Sequence, residues 1–273
     1  MFKFTAQFML MLTLMCSVIS SSASTVSVIN TAPVGGRSAG CGISQVGTGS
    51  FMPMRIQVLN QDRTYHLLVP ANYDSHRAYP IIFRWHGSGG NGMSGGLDIE
   101  FASGNDAIVV GADGINGRWQ TNTDSIDLLF FDQMLETIES RYCIDRERIF
   151  SYGFSVGAFF NNLLTCERGE ELRASAAVAG GLRGASCKGK VASWFLHDQD
   201  DNVVSIMKGK AALARAIQLN GCSNNIIDES DGCVRYQGCE KNPVVWCQSN
   251  GIGHNIRADF APEHVWKFFQ SLH

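Results

Sequence analysis

Ser155 lies in Gly153-Phe154-Ser155-Val156-Gly157, a G-x-S-x-G pentapeptide. The apolar run before it, residues 148–152, reads as a short buried strand. The run after it, with Val156, Ala158, Phe159, Phe160, Leu163 and Leu164, reads as a buried helix. Strand, sharp turn and helix together present a hydroxyl on a strained turn, close to a helix amino terminus. Backbone N–H groups there favour a developing negative charge. The two glycines leave room for a turn that side chains beside the serine would block. The pentapeptide alone also fits an ordinary strand-to-helix turn, so the chemistry depends on what else the chain can bring to it.

A serine hydroxyl near neutral pH needs a histidine to take its proton, and the histidine needs a carboxylate to hold its tautomer. In enzymes whose serine sits on a G-x-S-x-G turn between strand and helix, the order along the chain is serine, then acid, then histidine. Four histidines follow Ser155: His197, His254, His264 and His273. His254 sits in Gly251-Ile252-Gly253-His254, between the last strand and the last helix, and is the expected base. His197 ends a strand, His264 falls inside the closing helix and His273 is terminal. The acid is expected on the loop after the strand at 191–196, where Asp198, Asp200 and Asp201 compete. Asp201 is the choice, with the apolar pair Val203-Val204 anchoring the loop behind it. The oxyanion needs two backbone N–H donors. Val156 should supply one, and Ser88, in the glycine-rich stretch His86-Gly87-Ser88-Gly89-Gly90, the other. His86 precedes the serine in the chain and is expected to stabilise a turn. Trp85 and Trp119 are candidate linings for an apolar slot, or core residues.

The elements that must position these residues can be read from the pattern of apolar positions. Residues 80–85, 107–111, 148–152, 174–179, 191–196 and 244–247 form short continuous apolar runs, the pattern of strands in a parallel sheet covered on both faces. Residues 65–70 read as an edge-like strand. Residues 126–142 place Leu128, Phe131, Leu135, Ile138 and Tyr142 on one helical face. Residues 205–219 and 262–272 read as further helices, the latter with a proline near its first turn. Alternating strands and helices predict one α/β domain over 25–273 with a mostly parallel central sheet and helices on both faces.

Composition narrows the setting. Of 273 residues 45% are hydrophobic, enough for a large core without help, and the net charge is −3 with no basic block. Neither nucleic acid nor a membrane surface is an expected partner. Lys3, the apolar run at 8–19 and the small residues Ser20 to Ser24 predict a signal peptide over 1–24, and hence a secreted protein. Nine cysteines less Cys16 in that leader leave eight, an even set that predicts disulfides. No Cys/His spacing suits a metal. Connectivity does not follow from spacing; Cys233 with Cys239 and Cys222 with Cys247 are the expected pairs.

Several segments together resemble carbohydrate esterase family 1, and within it the secreted fungal type C feruloyl esterases. They are Ser38-Ala39-Gly40-Cys41-Gly42, Trp85-His86-Gly87-Ser88-Gly89-Gly90, Arg141-Tyr142-Cys143-Ile144-Asp145, the Ser155 pentapeptide and Gly253-His254. The resemblance implies a secreted, disulfide-stapled α/β-hydrolase fold acting on plant cell-wall esters, without metal or organic cofactor. It implies a serine carboxylesterase releasing ferulate from feruloylated polysaccharide such as arabinoxylan or pectin, and a monomer is expected. One departure stands out. The family's acid motif reads His-Gly-x-x-Asp, whereas this chain has His197-Asp198-Gln199-Asp200-Asp201. Alignment puts the acid at Asp201 and leaves Asp200 as a second choice. Acetylxylan esterase and polyhydroxybutyrate depolymerase share the same triad logic. A catalytically silent wall-binding protein is the alternative of a different class.

Overall fold

The computed structural model describes Met1 and residues 36–272 except 185, 186, 188 and 240. The expected signal peptide, the start of the mature chain up to residue 35, and His273 lie outside the described residues.

Among the described residues, ten strands form one sheet: β1 (Met52–Val58), β2 (Gln61–Leu68), β3 (Tyr79–Trp85), β4 (Ile108–Ala112), β5 (Ile144–Phe154), β6 (Ala174–Val178), β7 (Ala192–Asp198), β8 (Ile226–Asp228), β9 (Cys233–Tyr236) and β10 (Val244–Ser249). Their order across the sheet is β1-β2-β4-β3-β5-β6-β7-β10-β9-β8. The run from β4 to β10 in that order is parallel throughout. Both edges are antiparallel hairpins, β1–β2 and β8–β9. The edge on the amino-terminal side is therefore β1, and the strand expected near 65–70 lies inside it.

Among the described residues, five helices cover the sheet: α1 (Ile99–Ser103), α2 (Ile126–Glu139), α3 (Val156–Glu167), α4 (Ile206–Asn220) and α5 (Ala261–Gln270). The continuous burial of β3 has a direct cause. Ile81, Phe83 and Trp85 point into a core shared with Phe131 and Leu135 of α2 and with Phe160 and Leu164 of α3. Ile82, on the opposite face, joins Ile99 of α1 and Val265 and Phe269 of α5. Ala177, Phe195 and Trp246 pack with Leu213 of α4 on the first side. Helices thus lie on both faces, and each large side chain so buried contributes roughly 1.5–3 kcal/mol.

All eight cysteines among the described residues are paired, as Cys41–Cys143, Cys166–Cys187, Cys222–Cys239 and Cys233–Cys247. The expected pairs Cys233–Cys239 and Cys222–Cys247 are both wrong, for a single reason. The polar stretch between α4 and β10 folds as the β8–β9 hairpin rather than as a loop. Cys233 then faces Cys247 as its register partner on β10. Cys239 lies three residues past the end of β9, so the strand carries it away from Cys233. The returning strand brings it beside Cys222, where the Ser223 N–H donates to the Gln237 carbonyl at 2.8 Å.

Candidate active site

Ser155 joins β5 to α3 with φ 54° and ψ −122°, a positive-φ conformation that costs a non-glycine residue about 1–3 kcal/mol. It occupies the N-cap position, yet its hydroxyl makes no cap hydrogen bond; it turns instead to His254. The turn is held by close packing. A Cβ at Gly157 would lie 2.1 Å from the Trp85 carbonyl oxygen, so only glycine lets α3 approach β3 this closely. A Cβ at Gly87 would lie 3.6 Å from that of Ser155, which places the glycine-rich loop after β3 against the serine.

Three side chains from three separate loops meet there. Ser155 Oγ lies 2.9 Å from His254 Nε2, and His254 Nδ1 lies 2.7 Å from Asp201 Oδ2. Ser155 follows β5, Asp201 follows β7 and His254 follows β10, all at the carboxyl ends of parallel strands. The Asp201 side chain is fully buried, whereas that of His254 is 15% exposed, so the imidazole forms the solvent-side wall. A buried carboxylate without partners would cost several kcal/mol. Asp201 is supplied with them: Oδ1 accepts the N–H groups of Val203 at 2.9 Å and Val204 at 2.8 Å. Burial pushes its carboxyl up, but the hydrogen bonds from His254 and these two amides win and hold it below the usual carboxylate range. An ionised Asp201 only accepts, so the proton sits on His254 Nδ1 and the lone pair of Nε2 faces the serine hydroxyl. The anchoring of the acid loop differs from expectation in one respect. Val204 is buried, but Val203 is 66% exposed and contributes its amide rather than its side chain.

His197 stands behind the acid. Its Nε2–H donates to the Val204 carbonyl at 2.7 Å, with Asp201 Oδ2 at 3.3 Å. Burial lowers its pKa, keeping the ring neutral. Gly209 of α4 makes room for it, since a Cβ there would sit 2.4 Å from His197 Nδ1. Asp200, the second choice for the acid, instead accepts the Gly251 N–H at 2.8 Å. His264 lies in α5, bonded to the Phe260 carbonyl and to Asp231.

Val156 is the first residue of α3, so its N–H has no carbonyl within the helix to bond. Ser88 is exposed in the loop beside Ser155. That loop is clamped by His86, whose Nδ1–H donates to the Gly87 carbonyl at 2.7 Å while Nε2 accepts the Gly114 N–H at 2.9 Å. The two tryptophans are core residues. Trp85 is fully buried, and its indole N–H donates to Ser151 Oγ at 2.8 Å. Trp119 is 4% exposed and donates to the His86 carbonyl at 3.0 Å. Their rings meet edge to face at 5.1 Å. Neither is placed to line a substrate slot, because β3 ends with Trp85 directed at α3 rather than at the rim. Volume is no guide to the chemistry either. A groove of about 830 Å³, lined in part by Arg146, Leu172, Arg173 and Asn242, lies by the start of β5, whereas Ser155 follows its end.

No model of a known protein family matches the chain. It is 30% identical over 262 residues to feruloyl esterase D of Neurospora crassa, a match covering 85% of this chain and 89% of that one. The chain belongs to the feruloyl esterases. Like other feruloyl esterases it is a carboxylic ester hydrolase. Feruloyl esterase C of Emericella nidulans is 29% identical over 259 residues, covering 87% of this chain and 92% of that one. Among solved structures, an acetyl xylan esterase from Aspergillus awamori superposes with a TM-score of 0.65 at 14% identity, covering 80% of this chain and 99% of the other. At that identity the likeness shows the shared α/β-hydrolase fold and does not choose between acyl groups. No helix among the described residues is long and apolar enough to cross a membrane.

Proposed function

We propose that the protein is a secreted serine esterase that hydrolyses feruloyl and related hydroxycinnamoyl esters of plant cell-wall polysaccharides, such as arabinoxylan and pectin. The observation that carries this reading is the chain of short contacts Ser155–His254–Asp201 in a chain that belongs to the feruloyl esterases. Ser155 Oγ attacks the ester carbonyl as His254 Nε2 takes its proton. The tetrahedral oxyanion is held by the N–H groups of Val156 and Ser88, in the manner of an oxyanion hole. His254 then returns the proton to the departing sugar hydroxyl, leaving a feruloyl-serine. Water, deprotonated by the same imidazole, releases ferulate and restores the hydroxyl. Asp201 holds the tautomer and stabilises the imidazolium as it forms. Neither metal nor organic cofactor takes part in any step. The chain acts as a monomer, and residues 1–24 direct export.

Steady-state rates on methyl ferulate, methyl acetate, 4-nitrophenyl acetate and a hydroxybutyrate polymer test the acyl group. The expected result is a kcat/KM on methyl ferulate well above that on a methyl acetate control, and no release from the polymer. Hydrolysis of acetyl esters alone would make the protein an acetylxylan esterase of the same fold. No turnover of any ester would point to a silent wall-binding protein.

A further inference from the structure

The loop that presents Asp201 also holds the loop that presents His254. Asp198, 5% exposed at the end of β7, accepts four hydrogen bonds. Its Oδ1 takes the N–H groups of Asp200 at 2.9 Å and Gly253 at 3.0 Å, and its Oδ2 takes the Ser249 hydroxyl at 2.7 Å and the Ile252 N–H at 3.2 Å. Asp200 Oδ2 takes the Gly251 N–H, and the Gln199 N–H donates to the Ser249 carbonyl at 2.8 Å. The three consecutive amides before His254 therefore all end on carboxylates of the acid loop. Successive N–H groups converging on an anion form a nest, and each such bond is charge-assisted. The two loops leave the sheet side by side, since Asp198 and Ser249 are register partners of parallel strands.

We propose that Asp198 is a positioning residue for His254: its carboxylate fixes residues 252 and 253 so that the imidazole stays in reach of both Ser155 and Asp201. The proposal rests on the proposed role of His254 as base. A glycine at this position, as in the motif His-Gly-x-x-Asp, has no side chain to do this. Its effect on rate follows from how sharply proton transfer depends on geometry. A displacement of about 1 Å can cost on the order of 10²-fold.

A double-mutant cycle on the full chain with 4-nitrophenyl acetate separates positioning from mere stabilisation. Asp198→Asn keeps the volume but loses the charge and turns an NH₂ group toward amide donors. It is expected to lower kcat by roughly 10- to 100-fold, while KM moves by less than about threefold. In a His254→Ala background the same change is expected to alter the residual rate by less than about twofold, because the group that Asp198 positions is gone. Should Asp198→Asn fail to fold, Ser249→Ala removes one of the four bonds and is expected to give the same pattern at a smaller size. A full kcat in folded Asp198→Asn overturns the proposal. So does an equal loss in both backgrounds, which would mean that Asp198 acts without His254. A full rate in His254→Ala alone would overturn the underlying assignment of the base, and is read independently of the cycle.

Discussion

At the scale of single residues, the strongest claim concerns which of three neighbouring aspartates serves the histidine. Asp198, Asp200 and Asp201 share a five-residue stretch, yet their carboxylates have three different tasks. Asp198 gathers the amides of the histidine loop, Asp200 takes Gly251, and Asp201 alone reaches His254. Asp201→Asn is expected to lower kcat by about 10³- to 10⁴-fold, as the amide cannot hold the productive tautomer. Asp200→Asn, which loses one exposed loop contact, is expected to stay within about fivefold of wild type. Equal losses in the two variants would contradict the assignment. Ser155, His254 and Asp201 were legible in the sequence because each follows a strongly apolar run that must be a buried strand, and the order of those strands sorts the candidates. The supporting residues were not. Nothing in the local pattern says that His197 backs the acid, or that Asp198 straps the base loop, since both depend on the register of β7 against β10. Trp85 and Trp119 read equally as linings of an apolar slot or as core residues, because aromatic character does not reveal which way a side chain points.

At the scale of elements, the parallel strands and the four long helices follow from apolar periodicity, whereas the edges do not. β8 and β9 are short and their residues are exposed or half-buried apart from Cys233, so they lack the apolar run that marks a strand. Missing that hairpin is what mispaired the cysteines. The bridges also differ in what they restrain. Cys41–Cys143 spans 102 residues of sequence and Cys233–Cys247 only 14. In the chain-entropy account, loss of the first costs about 4.7 kcal/mol and of the second about 3 kcal/mol. Thermal or denaturant unfolding of the paired Cys→Ser variants is expected to show the larger loss for Cys41/Cys143. The reverse order would mean that local strand pairing, rather than loop closure, dominates.

At the scale of the whole molecule, four buried groups make stability fall on acidification, whereas burial raises Glu100 and Glu139, which act the other way. Burial holds His86 and His197 below the ordinary imidazole value of about 6.5. The unfolded chain therefore binds protons at these sites before the folded one does, and stability falls as pH drops below that value. For Asp198 and Asp201 burial acts upward, but hydrogen bonds outweigh it and both lie below the ordinary value of about 3.9. Their contribution is present above that value and is lost as pH falls through the folded one. Tm is thus expected to decline in two stages on acidification, first below about pH 6.5 and again below about pH 4. A Tm that is flat or rising between pH 7 and pH 3 would contradict this. Fold and chemistry converge here, because Asp198, Asp201 and His197 also surround the candidate base.

The most direct measurement is kcat/KM on methyl ferulate for wild type and Ser155→Ala, with circular dichroism to establish that both are folded. The wild type is expected to hydrolyse the ester, and the variant to lose at least about 10⁴-fold, as removal of the nucleophile does in a working triad. A folded Ser155→Ala within tenfold of wild type would show that the ester is cleaved elsewhere or by other means.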